Sequence, residues 1–277
     1  MLQLNAYLDR IGYGGPLRPD FDTLRALHRA HLLAIPYENL DIHLGRRLSL
    51  DETQIFTKLV GARRGGWCYE MNGLFAWALR QIGFRVRLLA GTVSRATLGD
   101  AAEGNHLVLL VELDRPYLAD VGFGNGFLEP LPLAPGSYRQ GFLTYQLAEE
   151  GERWLFQNHT HGGPGFDLTL APRRLSDFAA QCHHLQTAPS SGFVRTTVCH
   201  RFTPDGGIVT LRGAVLTSVQ ASGVTSRTVT SAEEYVSLLE TLFDLHLPQA
   251  AGLWERIWER HQEWLREQAA AQEARQR

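Results

Sequence analysis

Cysteine is scarce in this chain: Cys68, Cys182 and Cys199 are the only three in 277 residues. An odd, sparse set of that kind argues against a disulfide framework. Long apolar runs are missing as well. The run Leu107 to Val111 stops at Glu112, far short of the ~20 residues that span a bilayer. Met1-Leu2-Gln3-Leu4-Asn5 has no basic segment leading into an apolar one, and Asp9 follows early, so no secretory signal is read. Nor is there an excess of either charge. Lys+Arg is 27 against Asp+Glu at 29, a net charge of -2, which argues against a general nucleic-acid binder while leaving room for a local basic patch on a phosphorylated ligand. Lys58 is the single lysine, and no internal repeat is present. Together these absences predict a cytoplasmic globular protein with neither a nucleic-acid nor a membrane partner.

What is present is a chain 44% hydrophobic and 10% aromatic, long enough to bury a substantial core. Its first third has helical spacing. Leu4, Tyr7, Leu8 and Ile11 form one apolar face that ends at Gly12-Tyr13-Gly14-Gly15-Pro16. Asp20 or Asp22 caps a second helix that runs to Pro36, and Asp51 caps a third with Ile55, Phe56, Leu59 and Val60 inward. Leu74, Phe75, Ala78, Leu79 and Ile82 mark a fourth, with Gly83 placed to end it. From Phe84 the period changes to two. Strands are read at Phe84–Leu88, Leu107–Leu113, Tyr117–Val121, Arg153–Gln157, Phe193–Phe202 and Ile208–Leu211. Thr203-Pro204-Asp205-Gly206-Gly207 is a hairpin signal between the last two. Ser231 with Glu234 opens a helix through Val236, Leu239 and Phe243, and a final helix aligns Leu253, Trp254, Ile257, Trp258, His261 and Leu265 as a packing stripe. Helices, then strands, then a mixed tail make an α+β chain.

Cys68 follows Arg64-Gly65-Gly66-Trp67 and precedes the fourth helix, so it falls near a helix N-terminus, where free N–H groups favour a thiolate. Taken alone it fits equally a small buried apolar side chain, as most free cysteines are. A nucleophilic thiol needs a base and a group to orient that base. His106 opens the strand Leu107–Leu113 and Asp120 closes Tyr117–Val121. If Asp114-Arg115-Pro116 turns these into an antiparallel pair, the two become neighbours. The alternative is a solvated histidine beside a turn-capping aspartate. His159-Thr160-His161 and Cys182-His183-His184 contain metal-ligand types without paired CxxC or HExxH spacing, so no metal is expected. Gly122-Phe123-Gly124-Asn125-Gly126 follows a strand with no clear helix after it, which fails the dinucleotide fingerprint but leaves an anion-binding turn open.

Arg64-Gly65-Gly66-Trp67-Cys68-Tyr69-Glu70-Met71-Asn72 is similar to the active-site motif of the arylamine N-acetyltransferases. Tyr7 to Gly12, Ala34 to Asp41, Asp120 to Gly124 and Thr203 to Gly206 resemble further segments of that family in order. The resemblance implies an N-terminal helical bundle (residues 1–83), a central β-barrel (84–190) and a C-terminal α/β lid (191–277), around a cysteine-protease or transglutaminase-like core. It implies a triad of Cys68, His106 and Asp120. It also implies a ping-pong reaction in which acetyl-CoA acetylates the thiol and an arylamine, arylhydrazine or N-hydroxyarylamine takes the acetyl group. Tyr37, Tyr69 and Phe123 resemble the aromatics of the family's acceptor pocket, and Gly124, Gly126 and Phe127 fall in the turn expected near the CoA pyrophosphate. Glu38 and Arg64 are read as a structural ion pair. Glu103, close before His106, is a departure that sets a negative charge near a polyanionic donor. Two other enzymes share a Cys-His-Asp order: an amide synthase releasing a polyketide chain, and a papain-like thiol hydrolase. A binding module needs none of the three residues.

Overall fold

The computed structural model describes residues 2–276. Two of its early helices begin where aspartate side chains cap them. Helix α1 (Leu4–Ile11) ends at Gly12, whose φ of 65° closes the last turn. Asp20 caps α2 (Phe21–Ala34) by accepting from the Thr23 N–H at 2.9 Å. Ile35 then turns extended ahead of Pro36 and leads into β1 (Tyr37–Glu38) and the single turn α3 (Leu40–His43). Asp51 caps α4 (Glu52–Phe56), which loosens into a π-turn at Thr57–Gly61. Helix α5 (Cys68–Ile82) is buried over most of its length and runs to a left-handed Gly83.

Eight strands follow: β2 (Arg85–Val93), β3 (His106–Glu112), β4 (Pro116–Ala119), β5 (Leu131–Pro132), β6 (Gly136–Gln140), β7 (Leu143–Glu150), β8 (Arg153–Gln157) and β9 (Phe166–Arg173), with the short helix α6 (Arg95–Leu98) after β2. They form one antiparallel sheet in the order β5-β4-β3-β2-β9-β8-β7-β6. Its two edge strands, β5 and β6, are consecutive in the chain, so the sheet curls until its edges approach and becomes barrel-like. Helix α5 packs against β2 and β3, and its apolar face forms the main core with Leu107–Val111.

After α7 (Ala179–Thr187) comes a difference from the sequence reading. The strand expected over Phe193–Phe202 is split into a short helix, α8 (Gly192–Arg195), and β10 (Val198–Phe202). The Ser191 hydroxyl accepts from the Phe193 N–H at 3.2 Å and so caps a helix where the residue types favour a strand. Strands β11 (Ile208–Arg212), β12 (Val215–Gln220) and β13 (Gly223–Thr228) complete a second sheet, β1-β10-β11-β12-β13. Its first strand is borrowed from the N-terminal third: Tyr37 pairs with His200 and Glu38 with Cys199. Ser231 caps α9 (Ala232–Phe243), although Glu234 reaches back to the Thr230 N–H and so does not complete a box with Ser231. Helix α10 (Trp254–Gln276) closes the second core around Tyr235, Leu239, Phe243 and Ile257. Among the described residues no helix is long and apolar enough to cross a membrane.

Candidate active site

Three devices hold the segment before Cys68. Gly65 lies so close to α2's exit that a Cβ there would sit 2.3 Å from the Pro36 carbonyl oxygen. Arg64 donates to Glu38 at 2.7 Å and pairs with Asp41 at 3.0 Å. Lys58 reaches Asp41 at 3.1 Å and Glu70 at 2.9 Å. Burial alone works against the Lys58 charge, but Glu70, Glu38 and Asp41 together hold its pKa above the ordinary lysine range. Glu70 also accepts from the Trp67 N–H at 3.3 Å, which caps α5 and fixes Cys68 as its first residue.

His106 opens β3 and Asp120 lies one residue past β4. The antiparallel register, Leu109 with Ala119 through Glu112 with Pro116, brings those ends together. His106 Nε2 donates to Asp120 Oδ2 at 2.6 Å. The other carboxylate oxygen, Oδ1, accepts from Asn72 Nδ2 at 2.8 Å and from the Gly122 N–H at 2.9 Å. Asn72 is one turn along α5 from Cys68 and makes two further bonds, to the Leu107 carbonyl at 2.6 Å and from the Val121 N–H at 2.9 Å. It ties helix, strand and turn into one frame. Sequence reasoning gave it no role, although the spacing of four from Cys68 was a signal. His28 is the other omission. Its Nε2 accepts from the Asp120 N–H at 3.0 Å while Nδ1 donates to the Leu128 carbonyl at 2.9 Å. Burial lowers its pKa to about 4, so it serves as a neutral link. No local pattern joins residues 92 positions apart.

The turn after Asp120 abuts α5. A Cβ on Gly122 would fall 2.7 Å from Cys68 Cα, so only glycine permits the approach. Cys68 itself is 2% exposed. Burial pushes its thiol pKa up, and the backbone N–H groups of Leu107 and Tyr69 oppose that shift.

Cys68 and His106 open onto one cleft of about 1020 Å³. Tyr37 and Phe123 line it; the Phe123 ring meets His106 edge-on, centroids 5.1 Å apart. The other predicted contacts lie elsewhere. Tyr69 is fully buried behind the cleft, its hydroxyl donating to the Gly104 carbonyl at 2.7 Å. Phe127 is a core ring, 1% exposed and stacked on His28, because its side of the turn faces α2 and β8. Gly124 and Gly126 are also buried, and the cleft touches the turn at Gly122, Phe123 and Asn125. Glu103 is paired with Arg173 at 2.6 Å and does not line the cleft. The final helix does more than pack: Arg256, Ile257, Arg260, His261 and Trp264 all face the cleft. Among the described residues no Asp or Glu lines it, while four arginines do. No group of three or more His, Cys, Asp or Glu is placed to hold a metal ion among them.

A family model described as N-acetyltransferase matches residues 20–251. The chain is 38% identical over 249 residues to the arylamine N-acetyltransferase / N-hydroxyarylamine O-acetyltransferase of Salmonella typhimurium, covering 87% of this chain and 88% of that one. It is 35% identical over 253 residues to the arylamine N-acetyltransferase of Escherichia coli, covering 89% and 90%. Its fold superposes on Mycobacterium marinum arylamine N-acetyltransferase in complex with CoA with a TM-score of 0.84 at 32% identity, over 92% of this chain and 98% of that one.

Proposed function

Because this chain belongs to the arylamine N-acetyltransferase family, we propose that it carries acetyl groups from acetyl-CoA on Cys68 and delivers them, ping-pong, to arylamines, arylhydrazines or N-hydroxyarylamines. The observation that carries the reading is the 2.6 Å bond between His106 and Asp120 on the cleft that Cys68 also lines.

A carboxylate only accepts hydrogen bonds, so Asp120 keeps the proton of neutral His106 on Nε2 and leaves Nδ1 free to act as base. Burial makes a lone Cys68 thiolate costly. Transfer of its proton to His106 instead creates a thiolate and an imidazolium together, backed by Asp120, and each charge lowers the cost of the other. Cys68 sulfur attacks the acetyl carbonyl carbon, the carbonyl re-forms, the bond to the CoA sulfur breaks, and His106 gives its proton to that sulfur. An aromatic amine is uncharged near pH 7 and attacks the thioester directly. His106 collects the N–H proton and returns it to the departing Cys68 sulfur. Tyr37 and Phe123 offer flat faces for the acceptor ring. The carboxylate-free, arginine-bearing cleft suits a polyanionic donor.

Intact mass after mixing with acetyl-CoA and no amine, followed by peptide mapping, tests this. One acetyl group on Cys68, discharged by an arylamine or a hydrazine, is the expected result. A folded protein that takes no acetyl group overturns the donor assignment, and the next acyl source to try is a carrier-protein thioester.

A further inference from the structure

The wall of the cleft built by α8, β11 and α10 carries residues that the chemistry at Cys68 leaves unused. Helix α10 turns Arg256, Arg260 and Trp264 toward it, a spacing of four that stacks side chains on one helix face about 6 Å apart. Arg195, the last residue of α8, and Arg212, the last of β11, line the same cleft. One stretch, Thr196 to Val198, joins the arginines. Arg195 precedes it, Arg212 is the register partner of Val198, and the Gly213 N–H donates to the Thr197 carbonyl at 2.9 Å. Arg256 arrives through His43, donating to its carbonyl at 3.1 Å and to its Nδ1 at 3.2 Å, while the backbones of Thr196 and Phe193 bear on the same imidazole.

Charge and shape both single this wall out. Among the described residues Arg195, Arg212 and Arg256 have no carboxylate partner, whereas Arg260 holds Glu263 at 2.8 Å and Glu267 at 3.6 Å. Trp264 is 45% exposed, one of few large apolar side chains left so open. Its ring is not loose: it stacks on His261 at 5.8 Å and 24°, at the end of a ladder running Trp254, Trp258, His261. Guanidinium groups without a carboxylate partner beside a braced, open indole are what a phosphorylated purine nucleoside requires, fork donors for the phosphates and a flat face for the base.

We propose that this wall is a nucleotide subsite, in which Arg195, Arg212 and Arg256 hold the phosphates of the acyl donor and Trp264 carries its purine ring. The proposal rests on acetyl-CoA being the donor. It moves the phosphates from the Gly122–Phe127 turn to the arginines of α8, β11 and α10, from which the pantetheine arm runs along the cleft to Cys68.

Titration calorimetry with adenosine 3′,5′-bisphosphate, at low and high salt, tests it without using turnover. R195Q, R212Q, R256Q and W264A are each expected to weaken binding roughly tenfold, with the wild-type affinity falling as salt rises. The ratio of kcat/KM for acetyl-CoA to that for p-nitrophenyl acetate, a donor without phosphate or purine, should fall by a similar factor. If R256Q unfolds through its lost bonds to His43, the double variant R195Q/R212Q decides, since neither side chain holds an internal hydrogen bond among those described. Unaltered affinity in that folded variant overturns the subsite and leaves acetyl-CoA as donor. Equal loss with both donors also overturns it, because the arginines would then act at Cys68. A wild-type protein acetylated by p-nitrophenyl acetate but not by acetyl-CoA overturns the subsite and the donor reading together.

Discussion

Replacing Asp120 by asparagine changes one atom and reverses one hydrogen bond. The Asn72 and Gly122 donors keep the oxygen on their side, which turns an NH₂ toward His106 Nε2. The imidazole must then accept there and carry its proton on Nδ1, where it can no longer take one from Cys68. The expected loss in kcat for Asp120→Asn is about 10³–10⁴-fold, with iodoacetamide alkylation of Cys68 at neutral pH slowed in step; an unchanged alkylation rate removes Asp120 from the triad. Cys68→Ala should abolish acetyl transfer while the protein stays folded, and retained acetylation in that variant counts against the nucleophile. Asn72→Ala tests the frame around the triad. It strands the Val121 N–H and removes one of the two donors to Asp120 Oδ1, leaving the Gly122 N–H, so kcat should fall about tenfold or more with little change in KM. At this scale the sequence was most legible where chemistry is local. A cysteine at a helix start, and a histidine and an aspartate at facing strand ends, could be read from their neighbours. For Asn72 the spacing of four from Cys68 was the one local signal, its bond to Asp120 spanning 48 residues, and His28 had none, its partner lying 92 residues away.

Single elements show where patterning carries information and where it does not. Strand β7 alternates buried Leu143, Tyr145 and Leu147 with exposed residues, a period-two signal that the sequence reading passed over. Strand β13 is exposed throughout, so it has no apolar face to announce it and exists by pairing with β12. Strand β1 is only two residues long, and its partner lies far along the chain. The loop before α5 has a different support, the buried ion cluster. Lys58→Met leaves the nearly inaccessible Glu70 without its counter-charge, while Asp41 keeps Arg64 and Arg46. That should cost about 3–5 kcal/mol, read as a lower urea midpoint with an unchanged slope. A midpoint within error of wild type would mean that Arg64 and Arg46 balance the cluster without Lys58.

For the whole molecule the buried histidines set a direction with pH. Burial lowers the pKa of His28 to about 4 and of His200 to about 3, where Arg212 adds to the effect, and it lowers His31 as well. Each is therefore neutral when folded and readily protonated when unfolded. Their contribution is fully present above about pH 6.5 and is lost progressively as pH falls toward the folded values. For His28 alone the difference between 6.5 and about 4 corresponds to about 3 kcal/mol. The melting temperature should thus fall steadily from pH 7 to pH 4, and a flat profile over that range is the contrary result. Protonating His28 also removes the acceptor for the Asp120 N–H, so activity should decline no later than stability.

The borrowed strand bears on how the protein is made. Glu38 is synthesised 160 positions before residue 198, where its partner strand begins, an interval of about 8–32 s at ordinary elongation rates. Throughout that time the hydrogen-bonding edge beside the Cys68 loop waits for a mate. The second wall of the cleft arrives later still, with α10. The cleft around Cys68 is therefore completed late in synthesis, and a nascent chain halted before β10 holds that thiol in an unfinished setting.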